Sequence, residues 1–413
     1  MDKKFVLKID AYNIQTRMLT LLLFFMPVSY YLNLILQNGL NRGISVAALF
    51  YVIGFCVGIS SYLVVLSKKN ILSALVFLIF IFGTEWYLLF YGEYSKLVYT
   101  NITDLAYNPS IILFVYCLPV LFLLICGSID FTLLMKEMYK AGKLVLILFA
   151  ICFFYFRIGT SSLSIEYMTF SYYALPAICI CLAYTDYDKK SQLLEKVLVI
   201  LGLVITLIAG ARGALVCNMV FILLLVLFSQ KISKNKKILI CVILAISIFL
   251  ISIFFNEILS GLLAFLNSKG IYSRTLSKMT QASFANSDDR NILWEVALAA
   301  TKKSPLLGYG MWGDRPIVNG YVHNIVVELL CSYGFLFGGM LLVLLFGLLV
   351  QVFTESKQIE PHIFGLFLIS IPMGIVQLMF SGSYLTNMWF FFVLGIIYNA
   401  KKMRRYDESN TDI

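Results

Sequence analysis

The chain has 413 residues, of which 61% are hydrophobic and only 13% charged, with a formal net charge of +10 and a mean hydropathy of +0.89. No soluble domain of this length is so apolar, and repeated apolar runs of spanning length define an all-α polytopic membrane protein. The positive charge calls for no nucleic-acid partner, because most of it sorts by membrane topology.

The first 17 residues carry Lys3, Lys4, Lys8 and Arg17. The apolar run after them lacks a small-residue cleavage site, so it reads as an uncleaved anchor. Twelve spans are predicted, at roughly 18–36, 44–66, 71–91, 109–126, 144–156, 169–184, 197–210, 214–229, 238–256, 325–350, 362–380 and 385–400. Each is near the ~20 residues that a bilayer requires, though several are shorter. With the N-terminus inside, 21 of the 32 basic residues fall on the inner side and 11 on the outer, which places both termini in the cytoplasm. The nine cysteines sit in or beside apolar runs and read as small apolar fillers with no disulfide framework.

The outer side is biased toward arginine: five of 23 lysines lie there (Lys96, Lys269, Lys278, Lys302, Lys303), against six of nine arginines (Arg42, Arg157, Arg212, Arg274, Arg290, Arg315). A guanidinium grips phosphate or carboxylate through two parallel bonds, which a lysine point charge does not do. The bias therefore points to an anionic ligand, with chance or headgroup anchoring as the plainer account. Arg212 is the most telling of the six. The apolar run Val197–Phe228 has 32 residues, about 48 Å as one helix against a ~30 Å hydrocarbon core. Lysines flank both ends, so the chain must go out and return. The turn chemistry is Gly210-Ala211-Arg212-Gly213, which sets Arg212 at the outer apex of a helical hairpin. Residues 144–184 read as a second hairpin, its outward apex running from Arg157 to Tyr167 with Glu166, and Pro176 suggests a bent or broken helix.

These spans divide the chain into residues 1–256, an N-terminal bundle of about nine spans; 257–324, an outer catalytic loop; and 325–413, about three spans and a cytoplasmic tail. Loops this long are usually functional. Its start, Ile258–Phe265, reads as interfacial. Asn286-Ser287-Asp288-Asp289 offers an N-cap to a helix over 290–303, on which Arg290 and Trp294 are one turn apart. Pro305 ends that helix, and Gly308-Tyr309-Gly310 with Gly313-Asp314 makes a glycine-rich turn too short to be a phosphate loop. His323 then opens a helix with Asn324 and Glu328 on one face. Taken singly, each residue has an ordinary reading: Arg290 paired with Asp288 or Asp289, His323 an interfacial histidine, Arg315 with Asp314 a loop salt bridge of little worth.

Together, these pieces resemble the O-antigen polymerase/O-antigen ligase superfamily. GARGALV at a hairpin apex is similar to its SRGA-type motif, with Ala211 where the family often has serine. RNILWEVALAATKKSPLLGYGMWGDR followed by YVHNIVVELLCSYG resembles its outer loop. There an arginine opens a tryptophan-bearing helix, a proline-glycine turn follows, and an HN pair leads into an E-x-x-x-x-x-G helix. SGSYLTNMWFFFVLGIIY resembles the polymerases' penultimate outer turn and last span, so the resemblance covers about Leu193–Tyr398.

The resemblance implies a C-type glycosyltransferase architecture at the outer face of the bacterial inner membrane, with no metal or other cofactor. The donor it implies is an undecaprenyl diphosphate-linked oligosaccharide, used in lipopolysaccharide or capsule synthesis. By position, Arg212 and Arg290 would hold the diphosphate, His323 would sit at the acceptor, and Arg315 is a further candidate. The chemistry agrees: fixed guanidinium groups stabilise a departing diphosphate, and a neutral histidine is a natural base for a sugar hydroxyl. Glu328 would orient that imidazole or bind acceptor hydroxyls. Trp312 and Tyr321, with Tyr309 and Tyr333, would stack on sugars or belong to the membrane's aromatic belt. A polymerase, joined by a chain-length regulator and a flippase, is favoured over a ligase acting on lipid A-core, because GDRPIVNGYVHN and SGSYL look closer to that branch. A flippase is the alternative of another class, but there is no inverted repeat and the arginines gather at one face. A metal-dependent C-type enzyme would want an acidic pair in the first outer loop, and residues 37–43 contain none.

Overall fold

The computed structural model describes residues 3–40, 45–65, 112–156, 167–187, 193–209, 211–229, 232–240, 242, 255–268 and 288–411. The predicted span 71–91, the apex 157–166 with Arg157 and Glu166, Gly210, most of the predicted span 238–256 and the loop stretch 269–287 lie outside them. The described residues are helical, without a strand. In chain order the helices are α1 (Lys3–Leu40), α2 (Ser45–Val65), a π-helical turn Ile112–Cys117 leading into α3 (Leu118–Cys126), α4 (Phe131–Phe156), α5 (Tyr167–Tyr187), α6 (Leu193–Ala209), α7 (Arg212–Phe228) and α8 (Phe255–Ser268). There follow α9 (Asp288–Thr301), the short α10 (Asp314–Val318), α11 (Ile325–Tyr333), a π-helical turn Gly334–Gly338, α12 (Gly339–Thr354), α13 (Pro361–Ile371) and α14 (Met388–Thr411).

Among the described residues, four stretches are long and apolar enough to cross a membrane: Asn13–Leu36, Phe131–Tyr155, Ile325–Thr354 and Pro361–Met379. Leu49–Val65, Ile112–Cys126, Met168–Tyr184 and Gly213–Phe228 are shorter apolar helices. Two helices begin well before their predicted spans, α1 at Lys3 ahead of 18–36 and α4 at Phe131 ahead of 144–156. The predicted span 144–156 is the second half of α4, which begins at Phe131. Lys136, Lys140 and Lys143 recur at helical spacing, so the charged turns continue the helix although the apolar run has stopped. Lys143 reaches Glu195 on α6 at 3.5 Å. Nor does Pro176 break α5, which runs through it.

The residues form two compact units: Met1–Met26, Gly43–Met138 and Asp288–Ile413 make the first, and Pro27–Arg42 with Tyr139–Ser287 the second. In the first, Gly54 and Gly58 lie one turn apart on α2, where added Cβ atoms would strike Tyr116 and the Val115 carbonyl. This small-residue spacing lets backbones approach closely. Further along, Gly395 of α14 meets Leu124 of α3, and Asn399 Nδ2 donates to the Leu124 carbonyl at 2.8 Å. In the second unit, Tyr31 is fully buried between Phe149 and Phe170, and its hydroxyl donates to the Phe170 carbonyl at 2.5 Å. There α6 ends at Ala209 and α7 restarts at Arg212, with Ala211 extended between them (φ −80°, ψ 92°). Two helices thus replace the single overlong one, breaking where the turn chemistry placed the apex.

Candidate functional site

The site in the first compact unit is built by α9, the turns after it, and the start of α11. After Thr301 the chain turns sharply: Gly308 N–H donates to the Ser304 carbonyl (3.0 Å), Tyr309 N–H to Cys331 (3.0 Å) and Gly310 N–H to Ser332 (2.7 Å). Gly308 has φ +66° and packs so tightly that a Cβ would lie 2.6 Å from the Cys331 carbonyl oxygen. Only glycine fits such a left-handed close approach. Two of the three N–H groups of the Gly-Tyr-Gly turn, those of Tyr309 and Gly310, thus go to α11 and lock the loop to that helix.

His323 is held from both sides. The preceding Val322 is buried; its N–H donates to Asp314 Oδ2 at 3.3 Å, and its carbonyl accepts from Trp294 Nε1 at 2.7 Å. The following Asn324 caps α11, its Oδ1 accepting from Val326 N–H (2.9 Å) and Val327 N–H (3.3 Å). Between these anchors His323 adopts φ +56°, and Trp312 (φ +65°) and Asn319 (φ +50°) are also left-handed. For a residue with a side chain this backbone costs roughly 1–2 kcal/mol. Such strain persists where the surroundings over-determine it, as they do here.

Around the imidazole the structure brings together four of the predicted residues. The Tyr321 ring lies 3.9 Å from that of His323. The Arg315 guanidinium sits 4.9 Å over Tyr321 and 5.3 Å over Trp312. Trp312 is only 2% exposed, so its indole serves as a floor under Arg315. Arg290, half-buried in the first turn of α9, adds a second cation. Burial, then Arg290, then Arg315 push the His323 pKa down to about 4, so the ring is neutral at pH 7. Its Nδ1 is buried without a hydrogen-bond partner.

Asp314 is fully buried, with Oδ1 4.0 Å from Arg315 Nε. Burial pushes its carboxyl pKa up, outweighing the opposing pull of Arg315 and of the N–H groups it accepts from. The expected loop salt bridge is thus the interior strut of the site. Asp314→Ala leaves the Val322 N–H without its acceptor, at a cost of about 1–3 kcal/mol. If His323 is a reacting group, its small displacement should lower kcat roughly 10- to 100-fold, with KM less affected. Asp314→Asn, which still accepts from Val322, should recover most of both in thermal unfolding and activity assays. Equal losses in the two variants would assign the role to the charge instead.

Glu328 is 1% exposed. Its carboxylate accepts from the Ser383 hydroxyl and from Tyr384 N–H at 3.3 Å, and the Tyr384 hydroxyl donates to that of Tyr333 at 3.1 Å. Glu328 thus ties α11 to the turn before α14, while the orienting of His323 falls to Tyr321 and the backbone anchors. Sequence reasoning named Asp314 and Trp294 only in passing and gave Asn324 no role. The one available signal for the Glu328 partner was Ser383 within the SGSYL motif. Arg212 opens α7 in the second compact unit. Among the described residues, no three His, Cys, Asp or Glu side chains group as a metal ion would require.

Residues 197–344 match the family model described as O-antigen ligase. The matched stretch contains Arg212, Arg290, Arg315, His323 and Glu328. No curated protein matches the chain.

Proposed function

We propose that this chain, whose residues 197–344 match a family model described as O-antigen ligase, belongs to the O-antigen polymerase/ligase superfamily and is a glycosyltransferase of bacterial surface-polysaccharide synthesis. It takes an undecaprenyl diphosphate-linked glycan as donor and the sugar hydroxyl of another lipid-linked repeat unit as acceptor, so that O-antigen or capsule chains grow. In this reading twelve spans cross the inner membrane, both termini are cytoplasmic, 257–324 is the outer catalytic loop, and a flippase and chain-length regulator are partners.

The observation that carries the reading is a neutral imidazole, on a left-handed backbone, set beside two arginine cations in a half-buried site. The acceptor hydroxyl oxygen bonds to the donor's anomeric carbon and gives its proton to His323. The bond from that carbon to the diphosphate oxygen breaks, and its electron pair leaves with the diphosphate. Arg290 and Arg315 face the charge that develops there, and preorganised cations in a partly dehydrated site are worth more than in water. The sequence resemblance adds Arg212 as a further diphosphate-binding arginine. Tyr321 lies beside the base, where it can also line the acceptor sugar.

A ligase that delivers the finished glycan to lipid A-core is the second reading, favoured by the description of the matching family. Reconstitution of the purified protein with lipid diphosphate-linked repeat units separates the two. A ladder of lengths is the expected result. Transfer only to added lipid A-core would make the chain a ligase, and movement of lipid across the bilayer without covalent change would make it a transporter.

A further inference from the structure

Between Thr301 and Gly308 the chain presents two lysines and then two leucines, all exposed. Lys302 and Lys303 lie open, and Leu306 and Leu307 are 59% and 69% exposed. This is not a loose loop. Lys303 N–H donates to the Ala300 carbonyl (2.8 Å), Ser304 N–H to Thr301 (3.1 Å), and Leu336 N–H to Pro305 (3.2 Å), while Ser304 Oγ donates to the Gly308 carbonyl at 2.9 Å. Gly334 abuts the same turn, where a Cβ would lie 2.6 Å from the Pro305 carbonyl oxygen. The leucines are therefore fixed against the π-helical turn Gly334–Gly338, which itself exposes Phe335, Leu336 and Phe337.

This apolar edge is continuous with the stretch Ile325–Thr354, whose most apolar 18-residue window is only 22% buried, against 78% for that of Pro361–Met379. A stretch so apolar and so exposed suits a hydrocarbon surrounding. The lysines complete the pattern. They are two of only five lysines predicted on the outer side, an exception to the inward sorting of positive charge that the glycosyl-transfer reading does not use. Placed one turn from a leucine tip, they can lie at headgroup level with their ammonium groups toward lipid phosphates.

We propose that the 302–307 turn is an interfacial anchor: Leu306 and Leu307, flanked by Phe335 and Phe337, insert into the outer-leaflet hydrocarbon, and Lys302 and Lys303 bind anionic headgroups above them. The anchor fixes the depth of the loop that it opens, holding Gly308–His323 at the level of lipid headgroups. It holds for any reaction performed there and does not depend on glycosyl transfer.

The test uses the full chain in nanodiscs of phosphatidylcholine and phosphatidylglycerol, with a nitroxide at Leu307→Cys and, for comparison, at Gly320→Cys. Residue 320 is exposed, and a Cβ there meets nothing nearer than 4.0 Å. The background carries Cys56→Ser, since Cys56 is the exposed cysteine among the described residues. The label at 307 should relax several-fold more with oxygen than with a water-soluble nickel chelate, and the label at 320 the reverse. Nickel access at 307 equal to that at 320 would put the turn in water. Exclusion of both agents would mean that protein covers it, and either result overturns the proposal. Replacing both lysines with glutamine should make the label at 307 shallower when phosphatidylglycerol is present; unchanged depth overturns the electrostatic half.

Discussion

His323→Ala is expected to lower transfer from a lipid diphosphate-linked donor by about 10²–10⁴-fold, the usual contribution of a positioned general base, while the amount of protein in the membrane stays at the parental level. Arg290→Ala should cost about 10²–10³-fold, the scale seen when one fixed donor to a developing negative charge is removed. The same order is expected for Arg212→Ala on the strength of the resemblance. Lysine at either arginine position should recover only part of the loss, because it restores the charge but not the planar fork. Full recovery with lysine would mean that charge alone matters. A folding artefact is separable from a catalytic one at His323, because its backbone has φ +56°. His323→Gly removes the side chain and the left-handed strain together, so it should lose transfer without losing thermal stability. Near-parental activity in either His323 variant would remove the imidazole from the mechanism.

The parts of this site that were legible in the sequence are those fixed by local spacing. An apolar run too long for one span called for a break at 210–213, and α6 stops at Ala209 while α7 restarts at Arg212. An N-cap cluster followed by helical spacing gave α9, observed over Asp288–Thr301. The start of α4 was missed because hydropathy reports the bilayer, whereas a helix continues through charged turns that sit at helical spacing. The anchors of His323 were missed for a different reason. Trp294 meets Val322 across 28 residues, and Glu328 meets Ser383 across 55; no local pattern encodes such pairings. Asp314 shows the limit most sharply. Beside Arg315 it reads as half of an exposed ion pair, and only packing reveals that it is buried and supports the residue before the histidine.

The pH dependence should differ between free enzyme and substrate complex. A base is lost when it takes a proton, so activity falls as pH drops through the pKa of His323. In the free protein that pKa is about 4, lowered by burial and then by Arg290 and Arg315, and the acid limb of kcat/KM, which reports free enzyme, should lie there. A bound diphosphate places negative charge against those arginines and cancels the two electrostatic causes while burial remains. The acid limb of kcat, which reports the complex, should therefore move upward, to between about 4 and the ordinary 6.5. Arg315→Gln removes one of the depressing charges, so it should raise the kcat/KM limb and narrow the gap. Stability follows the same group. Between pH 6.5 and 4 the unfolded chain takes up a proton that the folded site refuses, so stability falls as pH falls across that window. Transfer rates over a pH series, with saturating and with limiting donor, decide the matter. Superimposed limbs for kcat and kcat/KM would mean that the diphosphate does not bind against Arg290 and Arg315, and the donor would have to be placed elsewhere on the loop.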